Sequence, residues 1–172
     1  RIVRIRPEKT QWYDVDFPEV IDERKKYYTE SEYYHMIAAD VRTQEWKKCI
    51  EAGQDAIILM EGVSMYLKPE ELMRLFSDFG EHFKNIKILM DVYSEKSAKA
   101  SKYKNPINDV GVTQVYGYNN PQALAGQTSL LFKKEYEMTP QKYIDELNGM
   151  EKNIFEHLYA GKIAKSMYRM YE

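Results

Sequence analysis

An α/β fold, with a mostly parallel sheet carrying helices on both faces, is predicted by two observations. Short apolar runs alternate with helix-start signals in strand-then-helix order. Three of those runs also end on an acidic residue: Gln11–Asp16, Tyr34–Asp40 and Ala56–Glu61. Carboxylates at the carboxyl ends of neighbouring parallel strands are where open α/β sheets bind nucleotide-like ligands. The pattern therefore points to a ligand as well as a fold.

Taken in order, the run to Asp16 is followed by Pro18, which suits a first helical turn because its missing N–H costs nothing there. Val20, Ile21, Arg24 and Tyr28 continue at roughly helical spacing. After Asp40, Thr43 is a candidate N-cap and Gly53 a candidate stop for a helix carrying Trp46, Cys49 and Ile50. After Glu61, Gly62-Val63-Ser64-Met65-Tyr66 leads to Pro69, which opens a helix bearing Leu72, Met73, Leu75, Phe76 and Phe79. The run Ile86 to Val92 reads as a central buried strand. Residues 103–127 are punctuated by Pro106, Gly111, Gly117, Pro121 and Gly126, the pattern of an irregular loop or lid, with a peripheral structural excursion as its alternative. Thr128 to Met138 reads as a further strand, and 139–172 as a helical tail that Gly149 and Gly161 divide. All of it reads as one domain, 1–172.

The bulk numbers narrow the class. A chain of 172 residues, 44% hydrophobic and 30% charged, describes a globular protein with a substantial core. A net charge of −2 gives no electrostatic case for nucleic acid or an anionic membrane as partner. Clusters such as Arg24-Lys25-Lys26 and Lys133-Lys134 read as solvated faces. The single cysteine, Cys49, cannot form an internal disulfide, which fits a reducing cytoplasm; its helical spacing with Trp46 and Ile50 reads as core. No apolar run approaches the roughly 20 residues of a membrane helix. Three scattered histidines and one cysteine make no metal ligand set. His35 falls within a strand, His82 ends a surface helix, and His157 sits in the tail without an acidic partner, so none reads as a base.

Tyr13-Asp14-Val15-Asp16-Phe17-Pro18, Ala38-Ala39-Asp40-Val41-Arg42, and Glu61 to Tyr66 followed by Pro69-Glu70-Glu71 together resemble the leucine carboxyl methyltransferase family. The order and spacing agree from the first residues to about Val92. The tail, Leu147 to Lys152 and Tyr168 to Tyr171, is similar to its tetracenomycin-type polyketide O-methyltransferase branch. The resemblance implies a Rossmann-like class I methyltransferase sheet, S-adenosylmethionine as cofactor, and methyl transfer to a carboxyl or hydroxyl oxygen of a small molecule. It implies that Asp16 accepts from the ribose hydroxyls, and that Asp40 accepts from the adenine amino group with the Val41 backbone beside the ring. Glu61 would meet the methionyl amino group, Gly62 would permit close backbone approach, and Tyr66 would line the acceptor pocket.

Each assignment has a competing reading. Asp16 could be an N-cap, Asp40 could serve only the turn before Thr43, and Tyr66 could be packing with a wet hydroxyl. Asn119-Asn120-Pro121 faintly resembles the Asn-Pro loop of amino methyltransferases, but a turn explains it better. Asp16 could equally read the ribose of NAD, so a nucleotide-dependent oxidoreductase is the rival enzyme.

The chain also departs from the family pattern. The family's glycine-rich loop on the first strand has no counterpart; Arg1 reads as the last residue of that segment. The expectation is a truncated domain lacking the first strand, which lies mid-sheet in this fold, and also the last. A missing central strand would leave unpaired backbone on two neighbours. A longer parent, strand exchange or edge pairing with another copy, and a closed-up sheet are the competing resolutions. An inactive fragment that only folds or self-associates is the non-enzyme reading.

Overall fold

The structure is a computed structural model that describes residues 9–101 and 114–172. Arg1 to Ile5, and the first part of the expected 103–127 loop, lie outside the described residues. The elements cluster into two compact units, residues 1–54 with 81–84 and residues 55–80 with 85–172.

In the first unit, β1 (Trp12–Asp16) pairs in parallel with β2 (Tyr34–Ala38), Asp16 lying opposite Ala38. The connection is helix α1 (Pro18–Arg24), with Pro18 in its first turn as the sequence predicts. Phe17 is the N-cap residue and no side chain caps the helix, so Asp16 is not its cap. Ile21 of α1 packs with Tyr34 and Met36 of β2, flanked by Trp12 and Tyr28. Asp14 ties these three elements together. It accepts from Trp12 Nε1 at 2.9 Å and from Tyr34 Oη at 2.7 Å, with Arg24 at 3.4 Å.

The helix expected after Thr43 shrinks to a 3-10 turn, Glu45–Lys48. Trp46 is its one buried residue, and a single anchor cannot sustain a longer helix, since most helical stability comes from a packed face. Cys49 is accordingly exposed, contrary to the expectation that it sits in the core. Gly53 adopts φ 77°, the left-handed conformation that glycine tolerates.

In the second unit four strands form one sheet, in the order Asp55–Met60, Asn85–Tyr93, Tyr168–Tyr171 and Glu135–Tyr136. β3 (Asp55–Met60) runs parallel to β4 (Asn85–Tyr93), with Met60 opposite Met90. The link between them carries a 3-10 turn (Ser64–Tyr66) and helix α2 (Pro69–His82), which buries Leu72, Leu75, Phe76 and Phe79. After β4 come α3 (Glu95–Ala100), α4 (Pro121–Ala125), β5 (Glu135–Tyr136), α5 (Gln141–Ile144), α6 (Gly149–Leu158) and α7 (Lys162–Met167). The strand expected over Thr128 to Met138 is reduced to the two residues of β5.

The expectation that the last strand is lacking is overturned. Tyr168–Tyr171 form β6, antiparallel to β4 on one side and to β5 on the other. Helix therefore ends at Met167 rather than running to the chain terminus. The physical reason lies in alternation: Tyr168 packs edge-on against Tyr93 and Tyr171 edge-on against Phe132. Aromatic residues that find partners on a pleated surface favour strand over helix.

The described part of the glycine-punctuated segment is well anchored. Tyr116 and Tyr118 donate backbone bonds to Met65 and Tyr93 at 2.8 and 2.7 Å, and the Tyr118 hydroxyl reaches Leu67 O at 3.1 Å. Asn119 Oδ1 accepts from Glu95 N at 3.1 Å, and Asn120 caps α4. A Cβ at Gly117 would overlap the Ser94 carbonyl and the Glu95 nitrogen, backbone atoms that cannot swing aside. Gly117→Ala is therefore expected to destabilise the chain by about 2 kcal/mol, the usual scale of overpacking. Urea unfolding checks this.

Candidate functional site

In the first unit, the strand ends present two carboxylates. Asp16 is the last residue of β1, and its Oδ1 accepts from Phe17 N at 2.8 Å. Among the described residues Oδ2 has no hydrogen-bond partner, so this half-buried carboxylate can still accept from a ligand. Asp40 lies two residues beyond β2 and is more committed. Arg42 donates to it from the backbone N at 2.9 Å, from Nε to both oxygens at 2.9 Å each, and from Nη2 at 2.6 Å. The Asp40 carbonyl meanwhile accepts from Thr43 N and Oγ1 at 2.9 and 2.8 Å. A ligand amino group at Asp40 must share the carboxylate with the guanidinium. Half-buried Val41 sits within this turn.

The second unit carries its polar groups at the carboxyl ends of β3 and β4. Glu61 and Gly62 follow Met60 directly and are exposed. Gly62 adopts φ 65°, and a Cβ there would meet nothing within 4 Å. Its N–H points instead to Asp91, lying 2.9 Å from each carboxylate oxygen. Asp91, in β4, is only 3% exposed and also accepts from the Tyr168 hydroxyl. The Ser64 hydroxyl donates to the Asp91 carbonyl. Tyr66 is 39% exposed. Burial, with Tyr93 and Asp91 nearby, raises its pKa above that of an ordinary phenol, so it remains a neutral donor at neutral pH.

Each of the three histidines makes one ring-nitrogen hydrogen bond within its own unit. His35 donates from Nε2 to Gln11 Oε1 at 2.8 Å and stacks on Tyr13. His82 donates to Ile50 O at 2.9 Å, edge-on to Trp46. His157 donates to Asn153 O at 2.9 Å within its own helix. Among the described residues no group of three or more His, Cys, Asp or Glu is placed to hold a metal ion. No described helix is long and apolar enough to cross a membrane.

Sequence reasoning missed Asp91 and Tyr168. Asp91 follows the apolar run Ile86–Met90 just as Glu61 follows its own run, so the same pattern could have found it. Tyr168 had no such signal, because its role depends on β6 inserting between β4 and β5.

An antiparallel strand beside a parallel pair joined through a helix fits a Rossmann-like α/β fold. A putative methyltransferase from Thermobifida fusca superposes with TM-score 0.61 at 13% identity, over 94% of this chain and 61% of that one. LepI, in a structure with SAM, gives 0.57 at 10% identity over 80% and 35%. The leucine carboxyl methyltransferase family model matches residues 2–80. The tetracenomycin polyketide synthesis O-methyltransferase TcmP of Streptomyces glaucescens is 26% identical over 147 residues, 85% of this chain and 54% of that protein. Over these residues the chain is similar to the leucine carboxyl methyltransferase family and to TcmP. The chain spans about half the length of that relative.

The Arg42 guanidinium beside Asp40 holds its carboxyl below the usual carboxylate range, against a smaller opposing effect of burial. A lowered folded pKa gives stability that is fully present above the unfolded value, near 3.9, and lost as pH falls through the folded one. In Arg42→Ala the Asp40 titration midpoint is expected to rise toward about 3.9. A carbon-13 NMR pH titration of the side-chain carboxyl measures it.

Proposed function

We propose that this chain belongs to an S-adenosylmethionine-dependent O-methyltransferase acting on a carboxyl or hydroxyl oxygen of a small, polyketide-type molecule. The observation that carries this reading is the acidic residue at or just beyond the carboxyl end of each of β1, β2 and β3. The TcmP and LepI likenesses favour this cofactor over NAD.

The residues present fit the cofactor's chemistry. The unengaged Oδ2 of Asp16 suits a ribose hydroxyl donor. Asp40 would accept from the adenine amino group beside the Val41 backbone, sharing its charge with Arg42. In the second unit Glu61 would pair with the methionyl amino group, and the left-handed Gly62 turn would let a ligand approach the backbone, its Cβ position being open. Tyr66 lines the acceptor pocket as a neutral hydroxyl. When bound, S-adenosylmethionine supplies an electrophilic methyl on sulfonium, which the acceptor oxygen takes to leave S-adenosylhomocysteine.

The chain's own contribution is to align the reactants and keep water out. A carboxylate acceptor is already ionised near neutral pH and requires no base.

Calorimetric titration of S-adenosylhomocysteine, with NAD as the comparison, tests the reading. Binding of the first and not the second is expected. Asp16→Ala should weaken it by about tenfold or more, the cost of a lost hydrogen bond to a charged group. Asp40→Ala should do likewise. A folded chain that binds NAD alone, or neither, overturns the reading.

A further inference from the structure

We propose that Asp91 is a positioning residue for the Glu61–Gly62 turn and Tyr168 its partner, so that the C-terminal strand sets the geometry of the cofactor-facing loop. The proposal rests on the reading that Glu61 and Gly62 meet S-adenosylmethionine.

Gly62 lies in the left-handed region, and no side chain packs over its Cβ position. Its N–H bond to Asp91, shared between two oxygens, restrains the peptide following Glu61. The carboxylate that provides it is itself fixed. Tyr168 donates to Asp91 Oδ2, and the Ser64 hydroxyl anchors the Asp91 carbonyl beside it.

Tyr168 in turn is braced from two sides. Its ring lies edge-on to Tyr93 with centroids 5.5 Å apart. Its chain neighbour Met167 offers a carbonyl to Ser94 N and Ser97 Oγ, each at 2.9 Å. Burial first, and the bond to Asp91 second, raise the pKa of Tyr168, so its hydroxyl keeps its proton and remains a donor. A buried carboxylate with too few donors is costly, so Asp91 needs both partners in place at once. The loop after β3 is thereby coupled to β6, far away in sequence.

Two single changes in the full chain separate positioning from general stability. Tyr168→Phe keeps the ring against Tyr93 and removes only the donor. Asp91→Asn keeps the shape and removes the charge. Three quantities are measured in each: hydrogen exchange of the Gly62 amide, S-adenosylhomocysteine affinity, and the urea midpoint. In Tyr168→Phe, Gly62 exchange should quicken and affinity fall, each by about tenfold, the scale of a lost charged hydrogen bond. Asp91→Asn should show a smaller loss, because the Asn oxygen can still accept from Gly62 N. A fall in affinity with the chain still fully folded supports positioning. Unchanged Gly62 exchange, or faster exchange with unchanged affinity, overturns it. A wild-type chain that does not bind S-adenosylhomocysteine overturns the underlying cofactor reading and this proposal's functional half with it. Gly62 exchange in the variants then still judges the clamp itself.

Discussion

The second unit depends on one buried carboxylate. Asp91 lies near the carboxyl end of β4, where a negative charge shielded from water must find donors or leave. It finds the Gly62 amide at the end of β3 and the Tyr168 hydroxyl at the start of β6. Three strands therefore meet at one group. Two of them run parallel and one antiparallel, so the loop that follows β3 and the residue that opens β6 fall at the same end of the sheet.

The first unit solves a similar problem with Asp14, which collects Trp12, Tyr34 and Arg24. That half-buried network fixes α1 against β1 and β2 and leaves the next acid along the strand, Asp16, with an unengaged oxygen. Period-two alternation is the cause. Asp14 and Asp16 point to the same face, but Asp14 lies within the strand and Asp16 at its exit. Asp14 is engaged by three neighbours, whereas Asp16 accepts only from Phe17 N among the described residues.

Much of this was legible in the sequence. Pro18, Pro69 and the apolar spacing of Leu72, Leu75, Phe76 and Phe79 marked α1 and α2, because those signals act locally. The acids Asp16, Asp40 and Glu61 were legible because strand, acid and turn are neighbours along the chain. What escaped was non-local. The short strand Tyr168–Tyr171 follows directly on a helix, and only its partners on β4 and β5 make it a strand. The helix drawn through Cys49 failed for the complementary reason: its spacing was helical, but Trp46 alone found a core. Asp91 escaped because a buried acid inside an apolar run announces a partner without naming it.

The proposed binding of S-adenosylmethionine by these strand ends can be measured directly. The most direct measurement is amide chemical-shift mapping on the full chain, with S-adenosylhomocysteine added in one series and NAD in another. Shifts at Phe17, Val41 and Gly62 are expected with S-adenosylhomocysteine and not with NAD. A folded sample in which those amides stay still, or in which NAD moves them as far, would contradict that proposal.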